Sequence, residues 1–179
     1  SASEDLERVL RELAKEVEKL LRESEKLLKE LEDLARELLE RDRKLLKELE
    51  EKVKRLKERR ADEDKIRTLE KEMRDVLRES EERIRRLEET VKRVLDENKK
   101  RTDDLKKKLE DILEELERRN SAEERVLDDV RKRIEDLVRE LKKVNEDIEK
   151  KVRELIERLR RSLEKSKEDI RRLVEELRR

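Results

Sequence analysis

The chain is 179 residues long and 61% charged, with 55 basic and 55 acidic side chains, and it contains no Gly, Pro, Cys, His, Phe, Tyr, Trp or Gln. Without Cys and His it has no thiolate nucleophile, no zinc-thiolate site, no neutral-pH general base and none of the commonest metal ligand. Without Gly it has no phosphate-cradling loop, without aromatics no stacking platform for single-stranded nucleic acid, and with balanced charge no basic excess for a polyanion.

The apolar 31% of the chain is strictly periodic, which separates it from a disordered polyampholyte. In the first third the apolar positions are Leu6, Leu10, Leu13, Val17 and Leu20, then Leu28, Leu31, Ala35 and Leu38, then Leu46, Leu49, Val53 and Leu56. Leu10, Leu28 and Leu46 are equivalent under a shift of 18 residues, and so are Val17, Ala35 and Val53. Eighteen residues make five turns of helix, so this repeat keeps the apolar stripe straight, whereas a strict heptad imposes a left-handed supercoil. Nearly untwisted helices are the expectation.

The stripe lapses over 57–65 and resumes at Ile66, out of phase by about 200° on a continued helix. A straight helix cannot show both stripes to one core, so the chain must turn there, with Asp62 as the N-cap of the second helix. The second third carries the rows Leu69, Leu87, Leu105 and Met73, Val91, Leu109. A second polar gap lies between Leu116 and Val126. Asn120 suits a left-handed position after a helix, and Ser121 with Glu124 has the spacing of a capping box. The last third aligns Ile134, Val152, Ile170 and Leu141, Leu159, Leu177. The arginine pairs Arg59-Arg60 and Arg118-Arg119 fall in last turns, where they complement the helix dipole.

The expected fold is all-α: an antiparallel, up-down-up three-helix bundle, coiled-coil-like, over 1–179 as one domain, with helices about 3–60, 63–118 and 121–179. Each helix would run roughly 85 Å at 1.5 Å per residue. No apolar run approaches the roughly 20 residues of a membrane span, and the first residues lack a basic start followed by an apolar block. A soluble chain is expected, cytoplasmic on recombinant expression.

Polar residues interrupt the stripes at matching places. Ser24 and Asp42 lie 18 apart on the first, Ser80 and Asn98 18 apart on the second, with Thr102 one turn on; Asn145 and Ser166 lie in the third and Ser162 at its edge. Reflection about a turn near residue 61 sets Ser24 opposite Asn98 and Asp42 opposite Ser80. Reflection about the second turn brings Asn98 near Asn145 and Ser80 near Ser162. Two buried layers are therefore expected: Ser24/Asn98/Thr102/Asn145 and Asp42/Ser80/Ser162/Ser166. Buried unpaired, each group costs about 1–3 kcal/mol; brought together, they satisfy one another only in one register. The bland reading is that small polar residues relieve packing. Asp42 has no second acid, no His and no nucleophile-base pair around it, and one Asp among hydroxyls is a poor metal cage, so no catalytic, cofactor or metal residue is expected.

With these core rows, the Ser24/Asn98/Asn145 and Asp42/Ser80/Ser162 layers, the Glu/Lys/Arg surface and the Ser121/Glu124 turn, the whole chain resembles parametrically generated de novo helical bundles with hydrogen-bond networks. Such bundles usually join helices with Gly-containing loops, which this chain lacks. Spectrin-like repeats and bacterial sensor bundles share the architecture but typically carry aromatics, Gln, His and irregular core spacing. The resemblance implies a thermally stable scaffold or assembly component without a natural substrate. The reading is a non-enzymatic structural scaffold that needs no partner as a monomer and no cofactor, and takes no nucleic acid, membrane or small-molecule substrate. The alternative is one subunit of a self-associating designed oligomer, or a three-helix partner for another helix. The flanking residues Leu21, Leu27, Leu39, Leu45, Val138, Ile156 and Val174 bear on that choice: in a closed bundle they seal the seams, and exposed they mark a partner site.

Overall fold

A computed structural model describes residues 2–119 and 124–179. It contains three long helices: α1 (Ala2–Glu58), α2 (Glu63–Arg119) and α3 (Glu124–Arg178). The absence of Gly and Pro, with Leu, Glu, Lys and Arg at most positions, lets each run more than 50 residues without a break. Among the described residues no helix is long and apolar enough to cross a membrane.

The α1–α2 connection shows how a chain without Gly stops a helix. The α-helix ends at Glu58, two residues short of the expected end, because Arg60 enters the left-handed region at φ 48°. The Arg60 amide donates to the Lys57 carbonyl, and the Ala61 amide donates to the Leu56 carbonyl at 3.1 Å. That pair of reversed bonds is a Schellman motif, built with arginine at the position glycine usually takes. Asp62 then caps α2: its Oδ1 accepts from the Lys65 amide at 3.0 Å and its carbonyl from the Ile66 amide at 3.2 Å. Ala61 and Ile66 occupy the two positions of a hydrophobic staple, and Glu63 and Asp64 supply negative charge to the first turn. The second connection, with Asn120 and Ser121 of the expected cap, lies outside the described residues.

The chain falls into two compact units, each with a segment of every helix. The first comprises Ser1–Lys29 and Lys92–Lys151. Its core joins Leu10, Leu13, Val17 and Leu20 of α1, Leu105 and Leu109 of α2, and Val130, Ile134 and Leu141 of α3. Glu16–Lys108 and Glu23–Arg101 set α1 against α2 in antiparallel register, and Glu117–Arg131 does the same for α2 and α3. Glu7–Arg133 ties α1 to the parallel α3. The second unit comprises Glu30–Val91 and Val152–Arg179. Its core includes Leu49, Val53, Leu69, Met73, Ile170, Leu173 and Leu177, with Lys52–Glu72 across α1/α2 and Glu88–Arg160 across α2/α3. Up-down-up packing of three helices is thus present in both units. Each fully buried Leu or Met contributes about 1.5–3 kcal/mol; Met73 and Leu109 are 0% exposed.

Candidate functional site

In the first unit, four polar side chains from three helices meet inside the apolar stripe. The Ser24 hydroxyl donates to Asn98 Oδ1 at 3.3 Å. Asn98 Nδ2 donates to Asn145 Oδ1 at 2.9 Å, and Asn145 Nδ2 donates to Thr102 Oγ1 at 2.9 Å. Thr102 Oγ1 donates in turn to the Asn98 carbonyl, also at 2.9 Å, which closes the chain back on α2. Ser24 and Thr102 are buried, and Asn98 and Asn145 half-buried. The carboxamide makes the circuit workable, since it accepts at oxygen and donates at nitrogen within one short side chain.

The second unit holds a smaller arrangement. The buried Ser80 hydroxyl donates to Oδ1 of half-buried Asp42 at 2.8 Å, linking α1 and α2. Ser162 and Ser166 on α3 are half-buried, and among the described residues neither hydrogen-bonds to this pair. The structure thus brings together Ser24, Asn98, Thr102 and Asn145, and separately Asp42 and Ser80, but does not draw the α3 serines into the second layer. The reason is register: the pairs Glu88–Arg160 and Glu70–Arg178 set residue 80 level with residue 168, so Ser162 lies about 9 Å along the helix from the level of Ser80.

Charged contacts that sequence reasoning did not single out lie on the seams. Arg160 grips Glu88 with both Nε and Nη2, at 2.5 and 2.7 Å. Arg178 holds Glu70 through Nε at 2.6 Å and Nη2 at 3.0 Å, and reaches Glu63 with Nη1. The Arg178 hydrogen bonds hold the carboxyls of Glu63 and Glu70 below their usual 4.5 and push the guanidinium itself upward. Both arginine-carboxylate forks lie at constant antiparallel register, and that signal was available in the sequence. Arg83, three residues after Ser80, was also missed: Nη2 approaches Glu79 at 3.5 Å while Nη1 is buried without a hydrogen-bond partner. No sequence pattern announces that atom.

Among the described residues, no group of three or more Asp or Glu side chains is gathered to hold a metal ion. The site chemistry is hydrogen bonding between neutral amides and hydroxyls, with one carboxylate-hydroxyl pair. No family model matches this sequence, and no curated protein matches it either. Among solved structures, a computationally designed three-helix bundle is similar to this chain, with 20% identity, 97% of this chain and 87% of that chain covered, and a TM-score of 0.49.

Proposed function

We propose that this chain is a designed structural scaffold whose polar layers select one helix register, and that it carries no natural biochemical activity. The reading rests first on the closed circuit Ser24–Asn98–Asn145–Thr102, which spans three helices and uses both ends of each carboxamide. A slip of one turn in any helix would separate these partners and strand buried donors at about 1–3 kcal/mol each. The twelve-letter alphabet and the eighteen-residue repeat support a designed origin. The proposal assigns no substrate, cofactor or catalytic group.

The alternative, a subunit of a designed oligomer or a receptor for another helix, draws on Leu34 and Val126, which are 42% and 37% exposed. Against it, Leu21, Leu27, Leu39, Leu45, Val138, Ile156 and Val174 are all half-buried within the single chain, as seam-sealing residues would be. Light-scattering mass across a concentration series separates the two: a constant 22.1 kDa is expected for the scaffold, and a stable multiple would favour the subunit.

The register role is tested by replacing the whole first layer with apolar residues, Ser24→Ala, Asn98→Leu, Thr102→Val and Asn145→Leu. The variant should stay helical while its NMR spectrum shows more than one set of amide signals or its mass becomes heterogeneous. One sharp set of signals at unchanged mass would show that the apolar rows alone fix the register.

A further inference from the structure

In the second unit, Arg83 is buried further than its visible partner explains. Its Nη2 approaches Glu79 Oε2 at 3.5 Å, one turn back on the same helix, and Glu79 is exposed. Pairs of that spacing lie at the surface: Arg86, paired with Glu82 four residues before it, keeps 75% of its side chain exposed. Arg83 keeps 21%, and its Nη1 is buried without a hydrogen-bond partner. A guanidinium nitrogen taken out of water and left unbonded is costly, so its burial calls for a partner other than Glu79.

Helical phase says which neighbour Arg83 faces. It follows Glu72 by eleven residues, which is three turns and about 20° at 100° per residue. Glu72 pairs with Lys52, so that side of α2 is the side toward α1. The contact with Glu79 carries the guanidinium back by one turn, to the level of Ser80, and Ser80 donates to Asp42 Oδ1 at 2.8 Å. Asp42 is also the one acidic residue of α1 in this unit that is not exposed. The α1/α2 seam thus holds, within one turn, a half-buried carboxylate bonded by a neutral hydroxyl and a guanidinium nitrogen with no bond.

The geometry points to Arg83 as the third member of the second polar layer, the counter-charge of Asp42. Ser80 donates directly to one carboxylate oxygen, and Arg83 Nη1 reaches the carboxylate through one bridging water. Charge compensation across facing helices makes the layer specific, since a slip of α1 on α2 parts two inward charges from each other. That the completed layer selects register rests on the reading of the polar layers given above; the coupling of Arg83 to Asp42 is measured without it.

The test is a pair of double-mutant cycles read by urea unfolding of the full chain at low salt, urea being uncharged. Arg83→Met keeps the apolar stem and removes the charge. In the parent it should lower the folded-to-unfolded ratio roughly fivefold. With Asp42→Asn, which keeps an acceptor for Ser80 and removes the negative charge, the same substitution should lower it less than about twofold. With Glu79→Gln the fivefold loss should remain. An unchanged ratio for Arg83→Met in the parent, an equal loss with and without the Asp42 carboxylate, or a loss that disappears with Glu79→Gln would each overturn the assignment. Such a failure strikes Arg83 from the layer, whereas one sharp set of amide signals from the variant with an apolar first layer would strike the register reading and leave the Arg83–Asp42 coupling standing.

Discussion

The two units solve one problem, holding α2 against α3, with different chemistry. In the first, beside the exposed pair Glu117–Arg131, the helices are joined by Asn98–Asn145 and Asn145–Thr102, neutral bonds at 2.9 Å between half-buried amides and the buried threonine. In the second, no interior polar bond joins α2 to α3 among the described residues, and the seam carries the forks Arg160–Glu88 and Arg178–Glu70 instead. Neutral interior bonds are indifferent to salt and mild acid and intolerant of a missing partner. Exposed ion pairs are the reverse: any one is worth little, and all are screened. The first unit is therefore the more specific and the more brittle to mutation. The second is more forgiving of mutation and more sensitive to solvent.

The sharpest way to break this contrast is to remove one amide. Asn98→Leu strands the buried Ser24 hydroxyl and takes the donor from half-buried Asn145 Oδ1, and should cost about 1–3 kcal/mol in guanidinium unfolding. Replacing all four members of the layer should recover most of that loss, since removing both partners of a buried bond is nearly neutral while removing one is not. If the single variant is as stable as the parent, the circuit is not contributing as drawn.

The corresponding change in the second unit should be milder. Ser80→Ala removes the hydrogen bond to Asp42, whose half-exposure lets water replace it, for a cost of about 1 kcal/mol. Ser162→Ala and Ser166→Ala should change stability by less than about 0.5 kcal/mol. A loss from Ser162→Ala equal to that from Ser80→Ala would mean the α3 serine belongs to the layer after all.

This difference also marks what the sequence could and could not convey. Periodicity located the core, because every row that repeats at 18 residues lies on one face of a straight helix. Reflection of residue numbers matched Ser24 to Asn98 and Asp42 to Ser80, because antiparallel register is linear in residue number. The same arithmetic set Ser162 level with Ser80, but it had to take the centre of the second turn from a polar gap, and the seam pairs of that unit run in a register six residues further on. Asn145 was reached and Ser162 was not, because the register carried by Glu88–Arg160 and Glu70–Arg178 sets residue 80 level with 168. The turn at 59–61 was legible as a turn, from the phase break at Ile66 and the cap Asp62. Its conformation was not, because the usual signal is a Gly and this chain places Arg60 there.

Arg60 gives the second unit a further weakness with a direct remedy. A non-glycine residue at φ 48° crowds its Cβ against the backbone, and Arg60→Gly relieves that crowding while adding some freedom to the unfolded chain. The balance should be a gain of about 0.5–1 kcal/mol in thermal or denaturant unfolding, with hydrogen exchange slowed most at Arg59, Arg60 and Ala61. A loss on making this change would mean that the arginine side chain, rather than the backbone bonds to Leu56 and Lys57, holds the turn.

The smallest expected effect tests the solvent side of the contrast. Arg178 lowers the carboxyl pKa of Glu63 and Glu70 in the folded chain, through its hydrogen bonds first. A group with a depressed folded pKa adds stability above its unfolded value, here about 4.5, and that contribution fades as pH falls through the lower folded value. Arg178→Met should therefore destabilise at neutral pH, lose that difference progressively below about pH 4.5, and lose part of it at neutral pH in high salt. Hydrogen exchange localises the effect: acid should speed opening at the α3 end, around Leu173 and Leu177, more in the parent than in the variant, while the amides around Asn145 respond alike in both. An acid response of equal size around Asn145 would show that the first unit, too, depends on its exposed pairs, and that neutral interior bonds do not set the two units apart.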